Sequence, residues 1–295
     1  MTDRTAVAAF VIVAGIAAAG LAQTTVVVTP ASPHGWAPAN VRQDAWVEIN
    51  DVRPRNGNGS LEFGFVTVTP GQDKADYQLV WDPTDHPTWT LGSLDTLSFE
   101  YIRDATSTTA PHFAPVLRLY FYEDAGTPAD TTDDTVGVLI WEEAYQAGFS
   151  GTIPTDQWIS RDVVDSGRFW MYVISGPGGT GVVQNYGLTL ADWEANTDPS
   201  TGQPPVGQPG DPTPPALGSD TWIVGVNTGV GSGWGDTFSG AVDTVTIGFG
   251  GEATRYDFEP APAAEPGIPA LNGTGMVLLT LTLLLTGVLV LRRSC

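Results

Sequence analysis

Between residues 45 and 258 the chain alternates apolar and polar side chains in short runs, and no stretch of length keeps the spacing of an amphipathic helix. With most of the chain's 35 Gly and 23 Pro punctuating those runs, long helices are excluded there, and Trp, Tyr, Phe, Val and Thr favour pleated strands. Strands are expected at 45–49, 61–68, 77–81, 94–102, 116–122, 136–142, 158–162, 169–174, 222–226, 240–249 and 254–258, and only 189–195 reads as a short helix.

Side-chain period decides which faces are buried. In the run 116–122, Leu117, Leu119 and Phe121 form one face, while Val116, Arg118, Tyr120 and Tyr122 form the other. The first face is core. Val245, Ile247 and Phe249 make a second inward stripe, with Thr244 and Thr246 pointing away. Strands with one apolar face each suit two antiparallel sheets packed together, an all-β jelly-roll sandwich of the lectin and glucanase type, concanavalin-like in outline. The Pro/Gly-rich stretch 197–219 cannot join a sheet, and the strands after it are too few to bury a core of their own. It is therefore expected to be a loop inserted in a single domain spanning 23–258.

Both ends carry addressing signals. Arg4 precedes an apolar run from Ala6 to Leu21 that closes in Gly20-Leu21-Ala22, a small-x-small pattern, so residues 1–22 read as a signal peptide cleaved after Ala22. At the other end, a Pro/Ala-rich acidic spacer over 259–267 leads to Ile268-Pro269-Ala270-Leu271, an apolar segment over about 274–291, and Arg292-Arg293. A short Pro-containing motif, one hydrophobic span and a basic stop resemble the IPTL-CTERM tail, a relative of the PEP-CTERM signals of exported bacterial proteins. The departure is Ala270 where that motif has Thr. The resemblance implies secretion machinery and an exosortase-type processing enzyme as partners. It also implies a transmembrane helix that tethers the protein until processing, and a cell-surface or extracellular destination; the paired Arg agree with a cytoplasmic C-terminus. The run Asp243-Thr244-Val245-Thr246-Ile247-Gly248, followed by Tyr256-Asp257-Phe258-Glu259, is similar to the V-D-N-V-x-I-G and Y-x-F-E closing segment of exported sandwiches with such tails, with Thr244 in place of Asn. This likeness implies a concanavalin-like or related sandwich and no particular activity.

Charge narrows the partners. With 33 Asp and Glu against 12 Lys and Arg, and Lys74 as the sole lysine, a formal net charge of −21 repels nucleic acid. The single cysteine, Cys295, lies behind the basic stop, so the body has no thiol nucleophile or cysteine zinc site. His34, His86 and His112 are too scattered for a histidine metal motif. The paired carboxylates of sandwich glucanases are missing: Glu100 and Asp104 are spaced wrongly, and Glu142-Glu143 point to opposite faces. No nucleophile elbow occurs, and Gly176 to Gly181 reads as a turn, so the body is expected to be non-enzymatic.

Two candidate sites remain. Glu123, Asp124, Asp130, Asp133 and Asp134 crowd one hairpin loop, which could hold Ca²⁺ as an oxygen cluster or be a solvated turn. Exposed aromatics stack on the apolar faces of sugars. Trp36, Trp89, Trp193 and Trp234 beside loop residues, with Arg118, Tyr120 and Tyr122 on one strand face, are the candidates for holding extracellular polysaccharide. A structural or adhesive matrix protein without a sugar ligand, and an unrecognised glycoside hydrolase, are the alternatives.

Overall fold

The computed structural model describes residues 22–66, 71–127 and 130–260. The signal peptide before Ala22, most of the 259–267 spacer, and the tail with Ile268, Pro269, Ala270, Leu271, Arg292 and Arg293 lie outside the described residues. No helix among the described residues is long and apolar enough to cross a membrane.

The described residues form an all-β sandwich. In chain order the strands are β1 (Ala22–Val28), β2 (Ala37–Arg42), β3 (Trp46–Asn50), β4 (Ser60–Val66), β5 (Lys74–Val80), β6 (Leu94–Arg103) and β7 (Val116–Glu123). They continue with β8 (Thr135–Trp141), β9 (Ile159–Asp162), β10 (Phe169–Ser175), β11 (Gly181–Val183), β12 (Trp222–Gly231), β13 (Thr237–Phe249) and β14 (Glu252–Phe258). The one α-helix, α1 (Leu190–Glu194), is closed by a reciprocal cap between Thr189 and Asp192. Every strand expected from the sequence is present. β1, β2 and β11 are additional.

Two seven-stranded sheets face each other. Sheet two runs β11-β10-β8-β7-β12-β5-β2 and is antiparallel throughout. Sheet one runs β1-β14-β13-β4-β3, with β6 on the other edge of β13 and β9 beyond it. It is mixed, because β1 pairs with β14 in parallel. Leu117, Leu119 and Phe121 enter the shared core with Val245, Ile247 and Phe249, as their alternation requires. Thr244 and Thr246, on the opposite face of β13, are also buried. The strands after the 197–219 stretch lie in the interior of both sheets: β12 separates β5 from β7, and β13 separates β6 from β4 and β14.

β13 changes partner halfway. Residues 237–242 pair with β4 and 245–249 with β14, while the pairing with β6 shifts register between Asp243 and Thr246. At this bulge Thr244 has φ of 48°, in the left-handed region where a β-branched residue is strained and Asn is tolerated. Asp243 pins the handover. Fully buried, it accepts the Asn56 N–H at 3.1 Å and the Phe258 N–H at 3.2 Å, tying the β3–β4 loop to the end of β14. Burial raises its pKa to about 6, and neighbouring Asp257 pushes the same way.

Relieving the strain at Thr244 is expected to stabilise the fold: Thr244→Asn should raise the melting temperature by about 3 °C, for roughly 1 kcal/mol. Thr244→Ala should not, because it keeps a Cβ and loses the 2.8 Å bond to Glu100. The raised pKa of Asp243 fixes a sign as well. Its stabilising protonated form is complete below the ordinary value of 3.8 and is lost as pH rises through about 6. Melting curves at pH 4 and pH 7.5 should therefore show a smaller loss in Asp243→Asn than in the parent; equal losses would refute the assignment.

Candidate functional site

β12 sits in the middle of sheet two with glycines on its outward face. A Cβ on Gly225 would lie 2.8 Å from the Leu79 carbonyl oxygen and 3.0 Å from the Tyr120 ring. One on Gly229 would lie 2.2 Å from an Asp76 carboxylate oxygen and 2.8 Å from an Arg118 nitrogen. The missing side chains let residues of β7 reach across β12 to β5. Arg118 Nη1 donates to Asp76 Oδ1 and to Asn227 Oδ1, both at 2.7 Å. Lys74 Nζ and Asn40 Nδ2 each reach Asp76 Oδ2 at 3.0 Å. Asp76 is 1% exposed and Arg118 8%, so this network is buried although it lies on the face away from the core. Desolvation lowers the pKa of Lys74, Arg118 adding to the effect and Asp76 opposing it.

Beside the network the same face opens into a groove of about 760 Å³. Its floor carries Tyr120, Tyr122 and Trp222, and one wall is the loop Asp82, Pro83, Thr84 and Pro87. Tyr120 donates to Gln78 Oε1 at 3.0 Å. Tyr122 and Trp222 stack at 5.7 Å with 23° between their planes, and Tyr122 donates to Asp134 Oδ2 at 2.5 Å. That bond pushes the phenol pKa up to about 12. Trp222 Nε1 donates to the Pro87 carbonyl at 3.3 Å, and Trp81 Nε1 to the Ile223 carbonyl at 2.7 Å, fixing the wall to β12. A cross-strand row continues along the face, since Val80, Gly225, Tyr120, Val138 and Tyr172 are successive partners across five strands. Val80 and Tyr172 are exposed.

Of the residues expected at a glycan surface, Arg118, Tyr120 and Tyr122 share this face, Arg118 as a buried support and the two tyrosines as groove floor. The tryptophan expectations are corrected. Trp36 is 2% exposed, packed on Tyr77 and Phe258, and Trp193 is 1% exposed, donating to the Phe169 carbonyl. Trp234 is buried between Phe65, Phe113 and Phe238. Trp89 is sandwiched by His86 at 3.7 Å and Phe249 at 5.0 Å, so both ring faces are occupied. Proximity to Gly or Pro does not distinguish a loop tryptophan from one that plugs the core. Trp222, Trp81 and the glycines of β12 were not identified from the sequence; the strand register that places Trp222 opposite Tyr122 is a long-range fact.

The acidic hairpin residues each have local work. Asp124 Oδ1 accepts the Gly126 N–H, Asp130 Oδ1 accepts from Thr132, and Asp133 accepts the Thr127 hydroxyl. Glu123 accepts the Thr221 hydroxyl, and Asp134 is taken by Tyr122. No group of three or more His, Cys, Asp or Glu that could hold a metal ion occurs among the described residues.

Fold and groove define an all-β sandwich with an open aromatic trough on one outer face. No protein-family model matches the chain, and no curated protein matches it. Among solved structures, an exo-beta-agarase is similar over 74% of this chain and 23% of its own, at 13% identity and a TM-score of 0.32. The chain thus corresponds to less than a quarter of that enzyme's length, at a similarity too low to indicate a shared fold.

The glycine opening gives a sharp expectation. Gly229→Ala must displace Asp76 or Arg118 and disrupt their buried ion pair, a loss of roughly 3 kcal/mol measurable by denaturant unfolding. An unchanged midpoint would show that the ion pair contributes nothing.

Proposed function

We propose that this is an exported, non-catalytic surface protein, sorted by an exosortase-type system, whose lectin-like jelly-roll body holds an extracellular polysaccharide in the groove on sheet two. The observation that carries the reading is the groove floor of Tyr120, Tyr122 and Trp222, half-buried rings lining an open trough and each held by a hydrogen bond to a neighbour. Aromatic faces complement the apolar CH faces of sugar rings, while Asp82, Thr84 and Asp124 at the rim supply hydroxyl partners. The rim carboxylates and the net charge of −21 favour an uncharged glycan over a sulfated or uronate-rich one.

Affinity electrophoresis through gels containing neutral and anionic polysaccharides tests this. Selective retardation is expected in a neutral polymer. Tyr122→Ala and Trp222→Ala should each weaken it about tenfold, for the 1–2 kcal/mol that a stacked ring contributes. Trp46→Ala, on the other sheet and 41% exposed, should leave it unchanged. Uniform migration in every gel would instead favour the structural or adhesive reading, and release of reducing ends would favour a hydrolase.

A further inference from the structure

An edge strand offers unpaired backbone N–H and C=O groups to any passing strand, and β-proteins protect such edges with charge, proline, bulges or brevity. Four of the five edges here are protected. β2 carries Pro38 and breaks register between Ala39 and Arg42, with Asn40 at φ of 49°. β3 presents exposed Glu48. β9 is four residues long and ends in Arg161-Asp162, and β11 is three residues long.

β1 has none of these devices. It runs for seven residues, Ala22-Gln23-Thr24-Thr25-Val26-Val27-Val28, without charge or proline, and in unbroken register with β14 from end to end. Its sequence is rich in the β-branched residues that favour pairing. Gln23, Thr24 and Thr25 are exposed, and Val27 is 47% exposed. Among the described residues β14 is its only strand partner, and no described strand covers the far edge.

We propose that two copies of this chain associate edge to edge through β1, joining their first sheets into one continuous sheet. Two arguments select a second copy as the occupant. An uncharged strand is self-complementary, so a two-fold axis lets the Thr-Thr-Val-Val-Val run meet itself antiparallel, the symmetry commonest in homodimers. A body of net charge −21 also repels itself wherever its carboxylates face each other, and β1 is an edge free of them. Pairing of this kind supplies main-chain hydrogen bonds with little side-chain burial, so the association is weak and concentration-dependent. It is independent of the groove, which lies on the other sheet.

Sedimentation velocity of the full chain in mild detergent, over a wide range of concentration, tests the proposal. A monomer–dimer equilibrium is expected, and the double variant Thr25→Lys, Val27→Lys should raise the dissociation constant at least tenfold with an unchanged melting temperature. Should that variant melt early, Gln23→Lys, at an exposed position near the strand start, replaces it with the same expected direction. A monomer at all concentrations would overturn the proposal, as would a dimer indifferent to the lysines, which would place the contact elsewhere, the apolar tail included.

Discussion

Asp243 holds sheet one together at the point where its longest strand changes partners. β13 pairs antiparallel with β4 over 237–242 and with β14 over 245–249 on one edge, and its register with β6 on the other edge shifts between Asp243 and Thr246, where one partner gives way to the next. The bulge leaves N–H groups of Asn56 and Phe258 to be satisfied, and one buried carboxyl accepts both. One side chain therefore ties the loop before β4 to the end of β14, the strand that carries β1 on its other edge. The accompanying cost is visible in the strained Thr244 backbone and in the raised pKa of the buried Asp243 carboxyl.

Sheet two solves a different problem. Its outer face must stay accessible if it is to bind anything, yet a half-buried tyrosine floor needs rigid support. Glycines in β12 provide it by letting Tyr120 and Arg118 lie across the neighbouring strand, where Gln78, Asn227 and Asp76 hold them. Groove floor and buried ion pair thus share one piece of backbone. Asp76 is satisfied by three donors, which is the condition under which a buried carboxylate is tolerated.

Much of this architecture was legible because period-two alternation is local. The run 116–122 shows its inner and outer faces without any knowledge of neighbours, and so does 245–249. β1 was hidden because its Thr-Val run directly follows the apolar leader, β2 because Pro38 interrupts it, and β11 because three residues carry no period. The groove was half legible. Tyr120 and Tyr122 follow from alternation, but Trp222 joins them only through the pairing of residues a hundred positions apart. The tryptophans failed for a related reason: burial is decided by what packs on a ring, and Phe258 on Trp36 or Phe113 on Trp234 cannot be inferred from flanking glycines.

The position of the last strands governs when the molecule can close. β12 fills the gap between β5 and β7, β13 that between β4 and β6, and β14 is the partner of the first strand. Until residues 222–258 arrive, each sheet is split by a gap one strand wide, and no earlier portion of the chain holds a complete pair of facing sheets. Contacts of such long sequence separation form late. A chain released residue by residue from its N-terminus could pair some early strands, but it could not close the sandwich until its last strands were free.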